Sequence, residues 1–147
     1  MLSLFKKEDW WTIWLGGFFI GGAALGLIRF IPKLPKWTVW QEALPVDLIV
    51  PILLWGVGLA AVTALALKIM GEDVRKYLKA FPAVFVLAVL AFLIGNHSTL
   101  AHYGFSDVIW AIVLGMLISN LWKKPEWLVP ALRTELFIKT GLVLLGA

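Results

Sequence analysis

Apolar positions along this chain come in long blocks rather than in alternation, and the blocks set the architecture. A helix crossing a hydrocarbon core of about 30 Å needs roughly 20 apolar residues. Trp10 to Phe30 and Leu48 to Leu67 meet that requirement outright. Phe81 to Ala101 has the length but turns polar at Gly-Asn-His-Ser-Thr, residues 95 to 99, so its outer third is expected to be wet or packed against protein. Ser106 to Trp122 is shorter and polar at both ends, with Asp107 near its start and Ser119-Asn120 near its finish. A fifth segment from Pro130 to Ala147 carries Arg133, Glu135 and Lys139 in its first half and is cleanly apolar only from Thr140 onward. The pattern predicts an all-α, polytopic integral membrane protein: one membrane domain over residues 1–147 with four to five transmembrane helices.

Composition supports that class. Apolar residues make up 61% of the chain, charged residues 15%, and the mean hydropathy is +0.91, whereas soluble domains carry roughly a quarter charged residues. The net charge of +4 forms no Lys/Arg stripe on a polar element, so no nucleic-acid partner is expected. The basic residues instead separate the apolar blocks. With the N-terminus in the cytoplasm, Lys6, Lys7, Lys68, Arg75, Lys76, Lys79, Lys123, Lys124, Arg133 and Lys139 fall inside, and Arg29, Lys33 and Lys36 outside. Tryptophans 10, 11, 37, 40, 122 and 127 lie near segment ends, where indoles favour the interface. Residues 29–45 carry three prolines and are expected to form an extended outer loop. Residues 68–82 are amphipathic and basic, and are expected to lie on the cytoplasmic surface.

Candidate chemistry is sparse. Gly17, Gly21, Gly22 and Gly26 on the first helix, and Ala111, Gly115 and Ser119 on the fourth, have the small-residue spacing of helix packing faces. His97 and His102 are five apart, which does not place both on one helical face, and the chain has no cysteine, so neither a metal site nor a cofactor is expected. Ser106 and Asp107 read as a helix start. No nucleophile constellation, acid/base pair or phosphate loop appears, so no catalytic residue is assigned. Asn96 and Asn120 each end an apolar stretch. Either is an interfacial residue or faces a water-filled path, since interrupted hydrophobic segments mark transporter binding sites. Lys139 either pairs with Glu135, four residues earlier, or draws an anion. Asn96, Asn120, Lys139 and Thr140 are the candidate lining of a substrate path.

The arrangement Trp110-Ala111-x-x-x-Gly115-x-x-x-x-Asn120, the Pro-Glu-Trp at 125–127 and the Lys-Thr-Gly-Leu-Val-Leu-Leu-Gly block at 139–146 resemble the YeiH-type sulfate exporter family of bacterial inner-membrane proteins. The opening Lys-Lys-Glu-Asp-Trp-Trp-Thr-Ile-Trp-Leu-Gly is similar to the start of that family's longer members. The resemblance implies part of an inverted-repeat transporter, a small inorganic anion such as sulfate as substrate, and an inner-membrane location. It also implies a chain cut short at its C-terminus, completed by a missing C-terminal half or by a homo-oligomer in the lipid bilayer. The expectation is the N-terminal portion of a secondary anion exporter; the rival is a non-transporting accessory subunit or a small oligomeric membrane protein.

Overall fold

The computed structural model describes residues 8–26, 32–121 and 126–145. Expectations placed on Lys6, Lys7, Arg29, Phe30, Trp122, Lys123, Lys124, Pro125, Gly146 and Ala147 lie outside the described residues. In chain order the helices are α1 (Glu8–Ala24), the short α2 (Trp40–Ala43), α3 (Val46–Met70), α4 (Val74–Gly95), the short α5 (Ser98–His102), α6 (Asp107–Leu121) and α7 (Thr134–Leu145). A 3₁₀ turn at Val129–Ala131 precedes α7. The fold is all-α. By length and composition α3 and α4 suffice to cross a membrane, and α6, with 15 residues, is apolar but shorter.

Helix ends follow local chemistry. Pro45 precedes the first turn of α3, where Asp47 faces the positive helix end. Gly71, with φ at 87°, ends α3 by donating its N–H to the Lys68 carbonyl while Glu72 donates to Leu67. Those two bonds form a Schellman motif, which needs a left-handed residue that glycine adopts without strain. Two residues on, Asp73 starts α4 by accepting from the backbone N–H groups of Arg75 and Lys76 at 3.1 and 3.3 Å.

Boundaries depart from expectation in instructive places. The first helix ends at Ala24, and Gly26, with φ at 71°, follows it in the left-handed region. Residues 74–80, expected on the membrane surface, are the first turns of α4, continuous past Pro82. Tyr77, Ala80 and Phe81 are buried there, so the apolar face of this basic stretch packs on protein rather than on lipid. The same helix stops at Gly95, not Ala101. Pro130 lies in the 3₁₀ turn, so the fifth segment becomes helical only at Thr134.

The last third of α3 is a wall shared by two clusters. Ala64 and Leu67 pack against Tyr77, Ala80 and Phe81 of α4 and Ala131, whereas Ala66 packs against Leu15 of α1 and Leu136 of α7. Thr63 returns its hydroxyl to the Leu59 carbonyl at 2.6 Å and also meets the Tyr77 hydroxyl, linking α3 to α4. In apolar surroundings such a bond satisfies groups that lipid cannot. Arg133 and Glu72, 2.6 Å apart, tie the start of α7 to the α3–α4 turn. The α3–α4 turn, the start of α7 and most of the described cations thus share one end of the bundle.

Helix packing within the chain uses other glycines than the spacing suggested. A Cβ at Gly17, Gly21 or Gly115 would meet nothing within 4 Å, so these positions make no close approach among the described residues. Ala111 on α6 is likewise exposed, and no residue of that helix is fully buried. Gly26 lies beyond the end of α1 rather than on its face, and Gly22 is half-buried. The close approaches fall at Gly16, where a Cβ would lie 3.0 Å from Val143 Cβ, and at Gly56, 2.7 Å from the Phe85 ring. At Gly95 the contact is with backbone: a Cβ would lie 2.5 Å from Asp107 Cα. Side chains at the first two can shift; backbone at the third cannot. Gly95→Ala should therefore destabilise the folded chain by about 1–3 kcal/mol, while Gly17→Ala should leave it unchanged or slightly firmer, as measured by equilibrium unfolding in mixed micelles.

Asp73 gives a pH test at the other end of α4. The Lys76 backbone N–H is the main cause holding its carboxyl below the ordinary 3.8; desolvation opposes it, and the charge and side chain of Lys76 add to the lowering. A lowered folded-state value means the cap contributes fully above about pH 3.8 and is lost as pH falls further. The Lys76 amide shift should follow that titration in the native chain and be flat over the same range in Asp73→Asn.

Candidate functional site

The interruption after Gly95 is where polar chemistry enters the bundle. Asn96 ends α4: its backbone N–H and its Nδ2 both donate to the Phe92 carbonyl, at 3.0 and 2.9 Å. The unpaired carbonyls of the last helical turn are covered by Trp37, contributed by the segment before α2. Its Nε1 donates to the Leu93 carbonyl at 2.7 Å, and its backbone N–H donates to the Asn96 carbonyl at 3.2 Å. The Trp37 carbonyl in turn accepts from Ser98 N–H at 2.9 Å. The His97 ring stands edge-on to the indole at 4.6 Å between centroids, and its Nδ1 is buried without a hydrogen-bond partner among the described residues. Trp37 is only 4% exposed. The interfacial role expected of it is therefore replaced by an internal one, whereas Trp40 is 75% exposed.

Beside this staple lies a cavity of about 470 Å³ between α3, α4 and residues 32–34. Trp55, Phe85 and Phe92 form much of its wall, and Lys33 and Asn96 supply its polar groups. Above the close contact of Gly56 with Phe85, α3 carries few buried residues, and Leu53, Leu54 and Val57 are exposed on it. Lys33 and Trp37 sit in a proline-rich stretch with no helical period to betray an inward face.

The four candidate path residues do not converge. Asn96 alone lines this cavity. Asn120 is exposed on α6. Gly95 abuts Asp107 while Pro82 and Ile118 border a common cavity, so α4 and α6 are antiparallel and Asn96 and Asn120 lie at opposite ends, roughly 20 Å apart along the pair. Lys139 and Thr140 are on α7, which packs chiefly on α1. Lys139 reaches Glu135 at 3.1 Å, the i,i+4 pair that the spacing allowed. Thr140 is half-buried, and its hydroxyl oxygen is fully buried without a hydrogen-bond partner among the described residues. His102 is exposed at the end of α5, and Ser106 accepts from Trp110 N–H at the start of α6. Trp37→Phe keeps the ring but deletes the bond to Leu93. It should cost about 1 kcal/mol and speed hydrogen exchange of the Ser98 amide severalfold, with exchange at Tyr77 unchanged.

Residues 79–147 match the family model described as conserved hypothetical protein 698. A UPF0324 membrane protein of Nitratidesulfovibrio vulgaris is 44% identical over 115 residues, covering 78% of this chain and 20% of the relative. Another match to a protein of that description in the same organism is 46% identical over 97 residues, 66% of this chain and 16% of the relative. A UPF0324 membrane protein of Rhodopirellula baltica is 38% identical over 127 residues, 80% of this chain and 22% of the relative. The chain thus spans about a fifth of the length of these relatives. No solved structure matches it significantly. Its helical architecture, the family model across its second half and this set of membrane-protein relatives place the chain in the UPF0324 membrane-protein family.

Proposed function

We propose that the chain is the N-terminal portion of a secondary transporter that exports sulfate or a related small anion across the bacterial inner membrane, with its N-terminus in the cytoplasm. The observation that carries this reading is the polar interruption at Asn96, held open next to a cavity that a lysine and an asparagine enter. Interrupted helices are how transporters expose backbone and polar side chains to a substrate at membrane depth. The orientation rests on the clustering of Lys68, Arg75, Lys76, Lys79 and Arg133 at the end opposite Asn96, with Lys33 and Lys36 on the Asn96 side. In this reading Asn96 contacts the anion, and Thr140 offers its unpartnered hydroxyl to a segment or substrate. Lys139 and Asn120 belong to the cytoplasmic half of the path. In a full-length protein reconstituted into vesicles, Asn96→Leu should lower sulfate efflux about tenfold, the worth of one hydrogen bond to a charged ligand, with insertion unchanged. Undiminished efflux would remove Asn96 from the path.

A second reading has its own observation. The open faces at Gly17, Gly21 and Gly115 could receive a second copy or a partner helix, as a non-transporting accessory subunit or small oligomer would require. Sulfate at a hundred times its dissociation constant should stabilise a transporter by about 2.7 kcal/mol. No shift with any small anion, together with a stable dimer, would favour the second reading.

A further inference from the structure

An apolar groove of about 490 Å³ runs between α3 and α4 on the outer surface of the bundle. Leu53, Val57 and Ala61 form one wall and Leu78, Pro82 and Phe85 the other. Leu53, Val57 and Leu78 are 57%, 68% and 44% exposed, so no other described element covers it. On α3 the lining reaches Ala64, about 16 Å from Leu53 along the axis. Continuing each stripe by one helical step toward the α3–α4 turn leads to charge. Lys68 follows Ala64 by four residues, Arg75 precedes Leu78 by three and Lys79 precedes Pro82 by three.

These three cations are exposed, and among the described residues none is paired with a carboxylate. The acids next to them are taken by other cations: Glu72 by Arg133 at 2.6 Å, and Asp73 by Lys76 at 3.5 Å. The result is an apolar channel aligned with the membrane-length helices, with Lys68 and Arg75 past its water-facing end and Lys79 beside it, three uncompensated positive charges. We propose that this groove is a binding site for one anionic phospholipid, with an acyl chain between α3 and α4 and the headgroup phosphate among Lys68, Arg75 and Lys79. A partner helix would fill the apolar part but leave the cations unanswered. A free anion would answer the cations but leave the groove empty. A phospholipid matches both, and the site is independent of whether the chain carries an anion across the membrane.

The test is lipid retention by native mass spectrometry, after release of the protein from nanodiscs holding equal phosphatidylglycerol and phosphatidylethanolamine. The expected result is one retained lipid per chain, enriched in phosphatidylglycerol. Enrichment should fall about fivefold for each cation removed among Lys68→Gln, Arg75→Gln and Lys79→Gln. Ala61→Trp, which keeps the cations and fills the exposed groove, should lose the retained lipid as well. Equal retention of the two lipids by the native chain would overturn the proposal without reference to any variant. So would retention unchanged in Ala61→Trp, or displacement of the lipid by millimolar inorganic phosphate, which would reduce the site to a simple anion patch.

Discussion

The hydrogen bond from Trp37 Nε1 to the Leu93 carbonyl is the contact on which the far half of the molecule depends. A helix that stops inside an apolar bundle strands its last carbonyls, and hydrocarbon offers them no donor. Trp37 supplies one, and its backbone binds Asn96 and Ser98 on either side. With α4 ended there, the chain turns through α5 and returns as α6, which can close on α4 because Gly95 presents bare backbone to Asp107. The cavity lined by Asn96 and Lys33 lies beside that break.

The opposite end is built on charge and small residues. Glu72 with Arg133 and Asp73 with Lys76 lock the turn between α3 and α4 and the start of α7. Ala64 and Ala66, on opposite sides of α3, let two helix pairs approach it at once. One end is therefore tight and charged, and the other stands open and polar, an asymmetry that a path opening from one membrane face would use.

Sequence pattern carried the all-α membrane class and the position of α3 within two or three residues, because 25 nearly uncharged residues admit no other reading. The start of α4 was not legible: Arg75, Lys76 and Lys79 looked like a surface stretch, while Tyr77, Ala80 and Phe81, at steps of three and four, were its buried face. Glycine spacing located candidate faces, but which face meets a neighbour depends on helix rotation. Gly16 packs tightly and Gly17 does not. Asn96 was legible as a polar end to an apolar run. Its staple was not, because nothing in a proline-rich loop marks one tryptophan as internal and another, Trp40, as exposed. The four-residue spacing of Glu135 and Lys139 allows an ion pair but does not require one, and the structure has it.

In the proposed topology Asn96 faces water on one side of the membrane while the α3–α4 turn faces the other. The chain contains no cysteine, so single Asn96→Cys and Lys76→Cys variants report without background. Treated in intact spheroplasts with a membrane-impermeant maleimide, the Asn96 site should be labelled at once and the Lys76 site only after permeabilisation. Labelling of both from the same side, or an Asn96 site that stays unreactive after permeabilisation, would contradict the account.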